Sequence, residues 1–175
     1  MNLKRILSLG ISFIIYLLLQ TLILKGFVIA DMAFCFIYVS FILLLPFELA
    51  TIVVLLLSFL MGISVDIFYD TLGIHTAASV LIGYLRSKLL PIIKPFGREY
   101  NKDFSPTIAS MGLAWFVSCS AILILIHHLM LFFIEAANIG LFLQTSSSAL
   151  ASSIFTFIMI LLFQYLFYGR KKEKY

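Results

Sequence analysis

Charge is what this sequence has least of. Only 11% of its 175 residues are Asp, Glu, Lys or Arg, against roughly 25% in a soluble domain. That shortage excludes a water-facing globule. Cysteine occurs twice, as Cys35 and Cys119, each inside an apolar run and in neither a CxxC nor a metal-ligand spacing. A disulfide framework and a zinc site are therefore excluded, and both read as small buried hydrophobes. Also missing are a nucleophile–histidine–acid set with supporting context, a phosphate-binding glycine loop and a metal motif. The sequence thus predicts no enzyme and no cofactor. What is present is hydrophobic sequence, 63% of all positions, with a mean hydropathy of +1.15. Six spans of about 20 residues would use roughly 120 residues, which leaves turns, one modest loop and two tails but no soluble catalytic domain.

Backbone groups in lipid must be paired within their own segment, so the spans are helices unless a barrel closes. A barrel requires alternation, and runs such as Ile52-Val53-Val54-Leu55-Leu56-Leu57 are continuous. The expected fold is all-α: a single polytopic membrane bundle over residues 1–175 with spans at about 6–24, 27–45, 49–67, 72–93, 107–134 and 147–168. Asp31 weakens the second, leaving a core of 32–45 and a five-span alternative in which this segment is re-entrant or interfacial. The first span follows Lys4 and Arg5, is too long for a typical signal-peptide core and has no convincing cleavage site after it, so it reads as retained.

Charge position supports the count. With six spans and a cytoplasmic N-terminus, Lys4, Arg5, Arg86, Lys88, Lys94, Arg98, Lys102, Arg170, Lys171, Lys172 and Lys174 all fall inside. Only Lys25 falls outside, as the enrichment of Lys and Arg in cytoplasmic loops requires. Both termini are then cytoplasmic. Arg86 and Lys88 precede the end of span four, so their stems are expected to snorkel towards headgroups. The basic flank of Arg86, Lys88, Lys94, Arg98 and Lys102 reads as topology and anionic-lipid contact, or as a docking surface for a cytoplasmic partner.

The most distinctive stretch runs from Gly62 to Ala78. Asp66 and Asp70 stand four apart, on one helical face, and His75 follows. A proton relay through these three is the sharp reading. At the outer interface, however, solvated carboxylates need no special role, and Asp70 or Thr71 would cap the next helix. Gly62, Gly73 and Gly83, with Ala77, Ala78 and Ser79, permit close helix approach, and Gly73 could instead permit a turn. His127 and His128 point about 100° apart on a helix, which does not suit a one-face metal pair, so an interfacial polar role is expected. The Ser/Thr-rich start of span six, from Gln144 to Ser153, reads as tight packing, with hydroxyls bonded to the preceding turn. Gln20 and Gln164 are candidates for helix–helix hydrogen bonds, and Trp115 for an interface anchor.

With its Gly62-x-x-x-Asp66 helix end, Gly73-x-x-Thr76-Ala77 helix start and His75-Thr76-Ala77-Ala78 continuation, the chain resembles the rod-shape-determining MreD family, in a form like that of Bacteroidota members. The layout agrees along nearly the whole chain, and residues 62–85 agree in detail. The resemblance implies a non-catalytic multi-pass protein of the bacterial inner membrane. It would associate with MreC, and through it with MreB filaments, RodA and its partner transpeptidase, in lateral peptidoglycan synthesis. It also implies that Gly62, Asp66, Asp70, Gly73, His75, Thr76 and Ala77 form a structural or partner-binding element. A weaker likeness is to the substrate-capture subunits of energy-coupling-factor transporters. That alternative function predicts an outward cavity involving Asp66, Asp70, His75 and His127, where a scaffold predicts a lateral binding surface.

Overall fold

The computed structural model describes residues 3–93 and 105–168. Its long elements are all helices: α1 (Leu3–Leu18), α3 (Thr51–Tyr69), α4 (Ile74–Ile92), α6 (Leu113–Ala136) and α7 (Phe142–Tyr168). Among the described residues there are also two short α-helices, α2 (Val39–Leu43) and α5 (Ile108–Met111), and a 3-10 turn at Ile139–Leu141. At 1.5 Å per residue, the 19-residue α3 is about 28 Å long, close to the hydrocarbon thickness of a bilayer. Four stretches, Leu3–Leu24, Thr51–Tyr69, Leu113–Ala136 and Ile139–Phe167, are long and apolar enough to cross a membrane. Large apolar side chains cover the outside, including Leu22, Ile52, Ile67, Ile154 and Leu166. No residue of α1 is buried. A water-soluble monomer does not expose apolar surface on that scale, so the chain is a multi-span membrane helical bundle.

The second expected span departs from a helix. Residues 28–34 form a two-stranded antiparallel hairpin, β1 (Val28–Ile29) and β2 (Ala33–Phe34), with Val28 opposite Phe34. Ala30 and Asp31 turn it with positive φ angles. Residues 35–38 then run without regular structure, and only Val39–Leu43 coil into α2. Yet every residue from Cys35 to Leu45 is buried. Lys25 donates to the carbonyl of Phe68 at the end of α3, whereas Glu48 pairs with Arg5 at the start of α1, 2.8 Å apart. The segment therefore passes from one end of the bundle to the other. Extended chain advances about 3.3 Å per residue against about 1.5 Å in a helix, so residues 34–36, ahead of the turn into α2, advance further than helical residues would.

Such a pass leaves amides and carbonyls unpaired, and side chains from the neighbouring helices meet them. The Phe34 amide donates to Ser152 Oγ (2.9 Å) and the Phe36 amide to Thr156 Oγ1 (3.0 Å), both on α7. Gln20 donates to the Cys35 carbonyl (3.0 Å) and accepts from the Tyr38 amide (3.4 Å). Arg86 of α4 donates to the carbonyls of Leu43 and Leu45. Gln20 reaches inward because α1 widens into a π-helical turn over Leu19–Leu24, which buries Gln20, Thr21 and Leu24. Non-helical backbone at membrane depth is tolerated when protein surrounds and satisfies it, and these four side chains do so.

Two further expectations are corrected here. Arg86 does not snorkel outward: it is 3% exposed and turned into the bundle, with its guanidinium beside the Phe47 ring. Trp115 is not an interface anchor but is buried, and its indole N–H donates to the Ile93 carbonyl at 2.6 Å. Lys88 is exposed and lies over the Tyr84 ring, while Lys94, Arg98 and Lys102 lie outside the described residues. Span five is interrupted by Gly112, whose φ of +88° separates α5 from α6. Gln164 of α7 accepts from the Ile108 amide at 3.3 Å, and Ser110 and Thr107 form a capping box on α5.

Candidate functional site

The stretch from Gly62 to Ala78 folds into a clasp between α3 and α4. Asp70 flanks the C-terminal end of α3 and Gly73 the N-terminal end of α4; both adopt left-handed conformations, with φ of +57° and +86°. The left-handed geometry is what glycine supplies at position 73 without steric cost. One helical turn before the end of α3, the Asp66 carboxylate reaches across to the first turn of α4. Its Oδ1 accepts from the Thr71 hydroxyl (2.5 Å) and the His75 amide (3.0 Å). Its Oδ2 accepts from the amide (2.9 Å) and the hydroxyl (2.5 Å) of Thr76. Two of the four orphan amides of α4 are thereby satisfied by a negative charge at the positive end of the helix dipole. The cap comes from the preceding helix, not from Asp70 or Thr71 as expected. Thr71 serves as a donor to Asp66, and Asp70 lies exposed.

Gly62 makes this crossing possible. A Cβ at Gly62 would lie 2.5 Å from Thr76 Cα and 2.9 Å from the His75 carbonyl oxygen. Gly83 likewise leaves room for Ser58. Beside the clasp, an open lateral groove of about 480 Å³ is lined by Ile67, Asp66, Asp70, Gly73, Thr76 and Ala77. Thr71 and the large side chains of Phe59 and Ile63 line it too, so five of its nine lining residues belong to the set singled out by resemblance. His75 faces away from this groove, towards the centre of the bundle.

There it joins the two other histidines of the chain. Tyr38 Oη lies 3.0 Å from His75 Nδ1 and 2.7 Å from His127 Nε2. His128 Nδ1 lies 2.8 Å from the Ile124 carbonyl oxygen, and its Nε2 lies 3.1 Å from Thr156 Oγ1. His127 and His128 are both 0% exposed, which corrects their expected interfacial role. They diverge around α6 as adjacent residues must: one meets the broken pass and the other meets α7. Phe36 packs between them, its ring centroid 5.2 Å from that of His75 and 5.4 Å from that of His128. Gln20 extends the network, donating to Tyr69 Oη at 2.6 Å. Sequence reasoning missed Tyr38 altogether. The signal was there: Phe34, Phe36 and Tyr38 alternate at the period of an extended chain, inside a run read as helical.

Above the histidines, a cavity of about 240 Å³ opens at the Lys25 end of the bundle. Buried His75 forms its floor; Phe36, Tyr69 and Phe132 form its walls; exposed Lys25 and Glu135 stand at its rim. Among the described residues, no group of three or more His, Cys, Asp or Glu side chains is placed to hold a metal ion. All four carboxylate contacts of Asp66 go to donors of the clasp itself. Asp66, Asp70 and His75 therefore do not form a continuous hydrogen-bonded relay: only the backbone amide of His75 meets the carboxylate.

No family model, no curated protein and no solved structure matches this chain.

Proposed function

We propose that this chain is a non-catalytic scaffold of the bacterial inner membrane, acting in cell elongation in the manner of the MreD family. Its six passes would leave both termini in the cytoplasm. It would hold a bitopic MreC-type partner, and through that partner contribute to an assembly with MreB, RodA and its transpeptidase. The observation that carries this reading is the coincidence of the motif with the lateral groove. Five of the residues singled out by that likeness, Asp66, Asp70, Gly73, Thr76 and Ala77, line an open lateral groove of about 480 Å³ at the α3–α4 turn. A groove with small residues along its floor suits a single transmembrane helix, because small side chains let backbones approach and van der Waals packing drives association in lipid. The internal use of Asp66 favours a structural role for the clasp over proton chemistry.

The test is capture of the tagged protein from native membranes, with mass spectrometry of the proteins that co-purify. Recovery of MreC and wall synthases is expected. Ile67→Trp and Ala77→Trp, which fill the groove, should lower MreC recovery about tenfold, equivalent to about 1.4 kcal/mol. Recovery of a coupling subunit with ATPases, and no wall synthase, would overturn the proposal in favour of solute capture.

A further inference from the structure

The histidine–tyrosine cluster has a direction, and one orphaned atom sets it. His127 Nδ1 is buried with no hydrogen-bond partner. In a neutral imidazole, one ring nitrogen carries a proton and the other accepts. A buried N–H without an acceptor is rarer and costlier than a lone pair without a donor. His127 therefore carries its proton on Nε2 and donates it to Tyr38 Oη, 2.7 Å away. The Tyr38 hydroxyl proton then goes to its other neighbour, His75 Nδ1, at 3.0 Å. A neutral His75 that accepts at Nδ1 carries its own proton on Nε2, the ring nitrogen left for the cavity it lines. His128 is the opposite tautomer, since only an Nδ1–H can donate to the Ile124 carbonyl. It then accepts at Nε2 from Thr156, whose oxygen also takes the Phe36 amide proton.

The floor of the 240 Å³ cavity thus presents a fixed N–H donor beneath aromatic walls. At the rim, the Lys25 ammonium is held over the Tyr69 ring and against the Phe68 carbonyl. A cation and a neutral donor, distant from each other in sequence, line one small and mostly apolar space. Mostly apolar pockets with a few placed polar groups are how proteins bind small molecules.

We infer that this cavity is a binding site for a small planar carboxylate. Its ring lies among Phe36, Tyr69 and Phe132, and its carboxylate oxygens accept hydrogen bonds from Lys25 and His75 Nε2. Glu135, which also lines the cavity, disfavours a second anionic group and accommodates an amino substituent. The site stands apart from partner docking: the cavity and the lateral groove share only Thr71 among their lining residues.

The chain's three histidines all lie in this cluster, which makes them the reporters. Protein labelled with ¹⁵N-histidine in phospholipid nanodiscs is titrated with benzoate, benzyl alcohol and benzylamine. Before titration, His75 and His127 should be protonated at Nε2 and His128 at Nδ1. Benzoate should move the His75 signal saturably while His128 stays in place, and should bind at least threefold more tightly than benzylamine. Lys25→Gln, an exposed change, should weaken benzoate at least threefold and leave benzyl alcohol unchanged. A proton on His75 Nδ1, a shift that rises linearly and equally in all three histidines, or equal binding of all three probes would overturn the inference. None of these outcomes bears on capture of MreC, so the two proposals fail separately.

Discussion

Asp66 is the residue on which most of the clasp depends. Asp66→Ala leaves two amides and two hydroxyls without their acceptor. The expected loss is about 2–4 kcal/mol of stability, by analogy with deleted caps and orphaned buried donors. Asp66→Asn keeps one acceptor oxygen and should lose about half as much. Thermal unfolding of the purified protein in detergent checks the order. Gly62→Ala should cost about 1–3 kcal/mol in the same assay, because its methyl meets backbone atoms that cannot turn aside. Gly10→Ala, with nothing within 4 Å of the added carbon, should be neutral or stabilising by up to about 1 kcal/mol. Gly62 and Gly73 stood out in the sequence as small residues that permit close approach, and Asp66 as one of two carboxylates on a helical face. The partners of Asp66 were not legible there. Its cap crosses from one helix to the next, and capping rules read along a single helix look only to the residues just before its start.

The decisive element is the broken pass. Its run of apolar residues satisfies hydropathy as well as any helix, so composition alone reads residues 27–45 as a span. Hairpin, extended chain and short helix differ from that reading only in where the backbone hydrogen bonds go. Those bonds end on Gln20, Ser152, Thr156 and Arg86, residues 41 to 120 positions distant for all but Gln20. Thr156→Val keeps the shape but removes the acceptor for the Phe36 amide. Hydrogen exchange read by mass spectrometry should then quicken about tenfold across residues 34–45, equivalent to about 1.4 kcal/mol of local stability, with α3 unchanged. Arg86→Met should destabilise by about 2–4 kcal/mol, since two buried carbonyls lose a charged donor; Arg86→Lys should recover only part of it, lacking the planar fork. The serines and threonines between Gln144 and Ser153 were expected to bond to their own preceding turns. Ser153 does so, to the Ala149 carbonyl, while Ser152 and Thr156 are spent on the neighbouring pass.

For the whole molecule, orientation is the claim most open to a direct check. Leu72 is fully exposed in the turn after α3, and Lys4 is exposed at the start of α1. The two native cysteines are buried and should stay silent towards a bulky reagent. Leu72→Cys should therefore react with an impermeant maleimide added from the periplasmic side, and Lys4→Cys only after lysis. The reverse pattern would place the lateral groove near the cytoplasmic face and remove the case for a partner helix anchored by a periplasmic domain.

Hydropathy, helix-forming runs and small residues sufficed to establish a membrane bundle, the approximate ends of its long helices and the α3–α4 contact. These are local properties: a run of apolar residues must leave water, and a glycine permits close approach wherever it lies. What only the tertiary structure decided is which buried polar groups meet. His75, Tyr38, His127 and Thr156 come from four different segments of the chain; in the sequence His75 was a relay or partner-binding candidate and His127 an interfacial group, while Tyr38 and Thr156 carried no reading. They converge because a backbone that abandons helical pairing inside lipid must recruit side-chain donors and acceptors from its neighbours. That demand gathers polar residues around the broken pass, and with them the cavity it helps to wall.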